Sequence, residues 1–159
     1  MKKMCGLLLT LVMVFSLCGC GEEKVEQKES VTKTCTLNEE NIEETFVLTA
    51  TDGEDIDKVD LTMVFDNAMF GVDSLNVLDD TQKEQVKTNM LTTLGLDSDT
   101  YEGLAINIDI QDQMTVTINA DINKADAEVL KKIGMDFTDA DMNLENAVKD
   151  LTDGGATCK

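Results

Sequence analysis

The sequence predicts an α+β fold: a mostly antiparallel sheet of about five strands, with helices packed on one face. Three observations predict it. Apolar and polar residues alternate with period two in several stretches. Turn residues join pairs of these stretches into hairpins. Apolar residues at helical spacing, bounded by caps and glycines, fill the intervals between them.

The elements follow in order. A first strand runs around Cys35. In Thr45–Thr51 the residues Phe46, Leu48 and Ala50 fall on one face, and in Val59–Phe65 so do Val59, Leu61, Met63 and Phe65. Asp52-Gly53 between them predicts a tight hairpin turn, since glycine accepts a positive φ without a Cβ clash. A second hairpin alternates Leu104, Ile106, Ile108 and Ile110 with Ala105, Asn107 and Asp109. After Gln111-Asp112-Gln113 it continues with Met114, Val116, Ile118 and Ala120 against Thr115, Thr117 and Asn119. One buried and one wet face is the mark of an antiparallel sheet.

Three helices are predicted. The first is capped by Asp80 or Thr81 and runs to about Leu94, with Val86, Met90, Leu91 and Leu94 on one stripe. The second spans about Lys124–Ile133 behind Asn123, and the third about Ala140–Leu151. The predicted order is β-β-β-α-β-β-α-α.

Ahead of this domain stands a different kind of sequence. Residues 1–21 read MKKMCGLLLTLVMVFSLCGCG: two lysines, an uncharged run from Met4 to Leu17, then small residues. That is the order of a secretory signal. The run has 14 residues, short of the roughly 17–25 that a spanning helix needs. Leu17-Cys18-Gly19-Cys20 resembles the lipobox of bacterial lipoproteins, with Cys18 departing from the commoner Ala, Ser or Thr. The resemblance implies a diacylglyceryl group on the Cys20 thiol and cleavage after Gly19. The division that follows is 1–19 signal peptide, 20–31 lipidated Cys20 and a charged tether, and 32–159 one α+β domain. The expected location is the outer side of a bacterial cell membrane, held by the lipid. The alternative is an ordinary leader that releases a soluble protein.

Composition narrows the partners. Thirteen basic residues, all lysine, face 32 acids for a net charge of −19; losing Lys2 and Lys3 with the leader makes it −21. Nucleic acid is not an expected partner, because phosphate binding needs a basic footprint. Without arginine, the fork that grips phosphate in two places is missing as well.

Five cysteines become three after the predicted processing. Cys20 takes the lipid, and an exported protein meets disulfide-permissive surroundings. Chain termini often lie close together, so Cys35 and Cys158 are expected to bridge; the alternative is two unpaired thiols. There is no CxxC, and with no histidine in the chain the usual base for a catalytic thiol is absent.

The lipobox leader, the charged tether, the strand Thr34-Cys35-Thr36, the turn at Asp52-Gly53 and the element order together resemble the YehR-like family of small bacterial lipoproteins, over about residues 33–150. That resemblance implies fold and location and supplies no catalytic residue.

No catalytic constellation emerges, and the chain is not expected to be an enzyme. Metal sites fare no better. Asp139, Asp141, Asn143 and Glu145 imitate the start of a calcium loop, but Leu144 stands where the loop needs glycine and Asp150 where it needs Glu. Asp52, Glu54, Asp55 and Asp57 read as solvated turn residues. No cofactor is expected beyond the lipid on Cys20. The leading expectation is a noncatalytic module that recognises an envelope protein, peptide or small ligand. Its candidate surface is the wet sheet face bearing Thr62, Asn107, Asp109, Thr115, Thr117 and Asn119, or a groove under the helices. The other expectation is a structural or cation-binding envelope protein whose acidic loops take up Ca²⁺ or Mg²⁺.

Overall fold

The computed structural model describes residues 29–135 and 142–159. The expected leader, Cys20, and most of the tether lie outside the described residues.

The architecture is α+β, built on one antiparallel sheet of seven strands. The strands are β1 (Val31–Glu39), β2 (Ile42–Ala50), β3 (Lys58–Phe65), β4 (Thr100–Tyr101), β5 (Leu104–Ile110), β6 (Met114–Asp121) and β7 (Thr157–Cys158). Their order across the sheet is β4-β5-β6-β3-β2-β1-β7. Four of the five long strands, β2, β3, β5 and β6, fall where the alternation predicts them, and β1 is the strand expected around Cys35. The expected count of five is corrected by β4 and β7, which have two residues each. Two residues cannot display a period, so only pairing with β5 and β1 makes them strands.

Alternation fixes which face is buried. Register sets Leu48 opposite Val59, Val59 opposite Ala120 and Ala120 opposite Leu104. Likewise Leu61, Ile118 and Ile106 line up one row further along. These side chains belong to a single core cluster, onto which the helices lay their apolar residues.

Helix α1 (Asp80–Thr93) starts one residue earlier than its predicted caps allow. Asp79 is the N-cap: its carboxylate accepts from Gln82 N (2.8 Å) while the Gln82 side chain accepts from Asp79 N (2.9 Å), a reciprocal capping box. Val86, Met90, Leu91 and Leu94 face the core as their spacing predicts. Helix α2 is shorter than predicted, Ala127–Lys132, and Asp126 rather than Asn123 caps it. The reason is local. The Lys124 and Ala125 amides donate to Asp121 O in the turn after β6, so the helix begins only where the Asp126 carboxylate can take the Glu128 and Val129 amides. Helix α3 (Leu144–Asp153) is capped by Asn143 and turns Leu144, Ala147, Val148 and Leu151 toward the core.

The connection after β2 also departs from expectation. Asp52-Gly53 does turn the chain, with Gly53 at φ 78° and Asp52 Oδ1 accepting from the Glu54 and Asp55 amides at 2.9 Å. But residues 51–57 form a loop rather than a two-residue hairpin turn. Tertiary contacts hold it open: Ile56 is buried in the core, Ile56 N donates to Met142 O (2.7 Å), and Leu144 N donates to Glu54 O (2.8 Å).

Candidate binding face

The helices cover one face of the sheet, and the residues of the other each keep part of their surface exposed. All six wet-face residues singled out from the sequence lie on that other face. Thr62 pairs with Thr117, Thr117 with Asn107, and Thr115 with Asp109. Asn119 pairs with Asp60 and donates from Nδ2 to its Oδ1 at 2.6 Å.

The register also brings in residues that the sequence reading missed. One transverse row runs Thr157, Thr36, Thr45, Thr62, Thr117, Asn107 across six strands. At the usual inter-strand spacing the row spans about 24 Å. The neighbouring rows hold Thr34, Val47 and Asp60 on one side, and Asn38, Glu43, Val64 and Thr115 on the other. The transverse row itself is uncharged, five threonines and one asparagine, while Asp60 and Glu43 carry charge in the rows beside it. β-Branched side chains suit a pleated surface and pack across it. Their abundance alone is a strand signal, but here it leaves one uncharged row on a chain in which 28% of residues are charged. The wet residues of β5 and β6, and Thr62 on β3, were visible in the sequence; Thr157, Thr36 and Thr45 were not singled out. That they form one row depends on which strands are neighbours.

Charge is held in pairs around the row and at the margins. Asp121 holds Lys124 at 2.6 Å, and that hydrogen bond is the main cause lowering the Asp121 pKa below the ordinary carboxylate range. Gln111 Nε2 donates to Asp109 Oδ2 at 3.0 Å. Tyr101, beyond the edge of β5, donates its hydroxyl to Asp97 Oδ1 at 2.6 Å, which lowers the Asp97 pKa.

The acidic loop is a second feature. Thr51, Asp52, Asp55, Asp57, Asn123 and Met142 line a depression of about 510 Å³. Asp57 Oδ2 accepts from Thr51 N (2.8 Å) and from the Thr51 hydroxyl, while its Oδ1 is buried without a hydrogen-bond partner. Among the described residues, no three Asp, Glu or Cys side chains gather so as to hold a metal ion. Asp139 and Asp141 lie outside the described residues; Asn143 Oδ1 accepts from the Glu145 and Asn146 amides (3.1 and 3.3 Å). Among the described residues no helix is long and apolar enough to cross a membrane.

The two cysteines of the domain meet. Cys35 and Cys158 are a register pair of β1 and β7, their sulfurs 2.02 Å apart.

The fold and face define an α+β protein with an open antiparallel sheet covered on one side. Its fold is YehR-like. The chain is similar to the solution structure of the Escherichia coli YehR protein, with a TM-score of 0.62 and 12% identity over 82% of this chain and 91% of that one. It is also similar to a protein from Streptococcus pneumoniae TIGR4, with a TM-score of 0.52 and 14% identity over 97% and 99%. At these identities the likeness is one of fold. No family model and no curated protein matches the chain.

Proposed function

We propose that this chain is a lipid-anchored, extracytoplasmic bacterial lipoprotein. Its domain acts as a noncatalytic binding module through the open sheet face. The leader and the Leu17-Cys18-Gly19-Cys20 stretch support the anchor. The observation that carries the binding reading is the uncharged transverse row from Thr157 to Asn107. Its hydroxyls and amide supply donors and acceptors, and its methyl groups supply apolar contact area. Such a surface suits a flat or extended partner in the envelope, a polypeptide or a small polar ligand.

The test has two arms. Mass spectrometry of the cell-derived protein should find a diacylglyceryl cysteine at Cys20, and Cys20→Ser should move the protein into the medium. A photo-crosslinking amino acid at Thr45 or Thr62 should capture a discrete envelope partner, while the same probe at Glu128 on α2 should not. An unmodified Cys20 thiol defeats the first statement, and equal capture from all three positions defeats the second.

One observation favours cation uptake as a second reading: the unpartnered Asp57 Oδ1 in the acidic depression. Calorimetry with Ca²⁺ decides it. Saturable micromolar binding that Asp57→Asn abolishes supports the reading, and flat titrations dismiss it.

A further inference from the structure

Three large hydrophobic residues are exposed among the described residues, namely Met69, Phe70 and Val77, with Val77 70% exposed. All three fall in the connection 66–78 between β3 and α1. That connection is built to hold them out. It contains two short 3-10 turns, Asn67–Phe70 capped by the Asp66 carboxylate and Leu75–Val77 capped by the Ser74 hydroxyl. It is also fastened to the β5–β6 turn, where Ser74 Oγ donates to Asp112 Oδ1 at 2.6 Å and Leu75 N to Asp112 O at 3.1 Å.

Strand directions place this connection. β3 ends at Phe65, β1 ends at Glu39 and β6 begins at Met114, and register sets Glu39 beside Ile42, Ile42 beside Phe65, and Phe65 beside Met114. The connections 39–42, 66–78 and 111–113 therefore share one pole of the sheet. They carry Glu39, Glu40, Asp66, Asp73 and Asp112 and no lysine. A depression of about 360 Å³ there is lined by Glu39, Glu40, Glu43, Val64, Asp66 and Gln113 among others. Lys58, Lys124 and Lys159 sit toward the opposite pole, where β3 starts, β6 ends and Lys159 pairs with Thr34. Val31, the first residue of β1, is at that opposite pole too. Nine residues of strand put it about 27 Å away along the sheet.

The chain thus enters the domain at the pole far from Met69 and Phe70. The acids around them would repel the anionic headgroups of a membrane. A second copy would bring like charges together. We infer that the pole formed by 39–42, 66–78 and 111–113 is a docking site for a cationic, amphipathic segment of another polypeptide. Met69, Phe70 and Val77 would meet its apolar side, and Glu39, Glu40 and Asp66 its lysines or arginines. Exposed apolar patches rimmed by charge are common at partner sites, and complementary charge fixes partner choice and orientation.

The probe is a labelled 14-residue peptide of leucine and lysine with helical amphipathic spacing, titrated into the full chain held in phosphatidylcholine nanodiscs. Empty nanodiscs are subtracted, and a leucine–glutamate peptide serves as the counter-probe. The lysine peptide should bind saturably and the glutamate peptide should not. Met69→Ser with Phe70→Ser should weaken binding at least tenfold, as should Glu39→Gln with Glu40→Gln. Glu128→Gln, on α2 near the opposite pole, should leave it unchanged. Circular dichroism melts confirm that the variants fold. Absence of saturable binding overturns the inference, and so does an equal loss with Glu128→Gln, which reports diffuse charge attraction. Association of the full chain with bare phosphatidylcholine vesicles that depends on Met69 and Phe70 overturns it in favour of the lipid. None of these outcomes touches the threonine row, whose reading stands or falls with crosslinking at Thr45 and Thr62.

Discussion

Cys35 and Cys158 stand opposite each other in the β1–β7 ladder, with Cα atoms 4.0 Å apart although 123 positions separate them in the chain. Thr34 and Lys159, the next pair, exchange both backbone hydrogen bonds. The cysteines therefore occupy the non-hydrogen-bonded position, where antiparallel chains come closest. Cys35 is fully buried. Because β7 has only two residues, the bridge adds a covalent tie where few backbone hydrogen bonds hold the C-terminal edge to the sheet.

Reduction should consequently cost much of the domain's stability. Closing so long a loop is worth roughly 4–5 kcal/mol by the chain-entropy argument. Differential scanning calorimetry with and without reductant should show a fall in Tm of more than about 10 °C. The Cys35→Ala, Cys158→Ala pair should reproduce it, and an unchanged Tm would mean that the bridge constrains nothing.

The two faces of the sheet should respond oppositely to truncation. Ile118 is 1% exposed and lies between Leu61 and Ile106. Ile118→Ala should destabilise by about 2–5 kcal/mol through lost burial and the cavity left behind. Thr62→Ala, one row over on the open face, should stay within about 0.5–1 kcal/mol. Urea denaturation separates the two outcomes.

Among the glycines of the described residues, Gly103 is the most closely crowded. Its φ is +71°, and a Cβ there would meet Ala125 N at 2.5 Å and Lys124 Cβ at 2.7 Å. Gly103→Ala should cost roughly 2–4 kcal/mol, combining left-handed strain with overpacking. A melt within two degrees of the parent protein would refute the crowding.

Glu44 links stability to pH. Partial burial, with a smaller contribution from the neighbouring Glu39 charge, raises its pKa above the usual carboxylate value. The folded pKa stands above the unfolded one, so the favourable term is fully present below about pH 4 and is lost as pH rises through the folded pKa. Glu44→Gln should therefore raise Tm at pH 7, and the gain should shrink toward zero near pH 3. A gain that persists at pH 3 would point to packing rather than charge.

How far the sequence reached follows from the range of each signal. By itself it determined the α+β class, the five long strands, the inward set from Phe46 to Ala120 and the wet residues Thr62, Asn107, Asp109, Thr115, Thr117 and Asn119. Alternation and helical spacing are local patterns, readable within a dozen residues. Tertiary structure alone decided the rest. The strands β4 and β7 exist only through their partners. The loop at Asp52-Gly53 opens because Ile56 is drawn into the core and Glu54 is paired with Leu144. The row from Thr157 to Asn107 and the acidic pole around Met69 and Phe70 depend on strand order. Residues tens of positions apart become neighbours only when hydrogen-bond register aligns them, and no local period encodes that register.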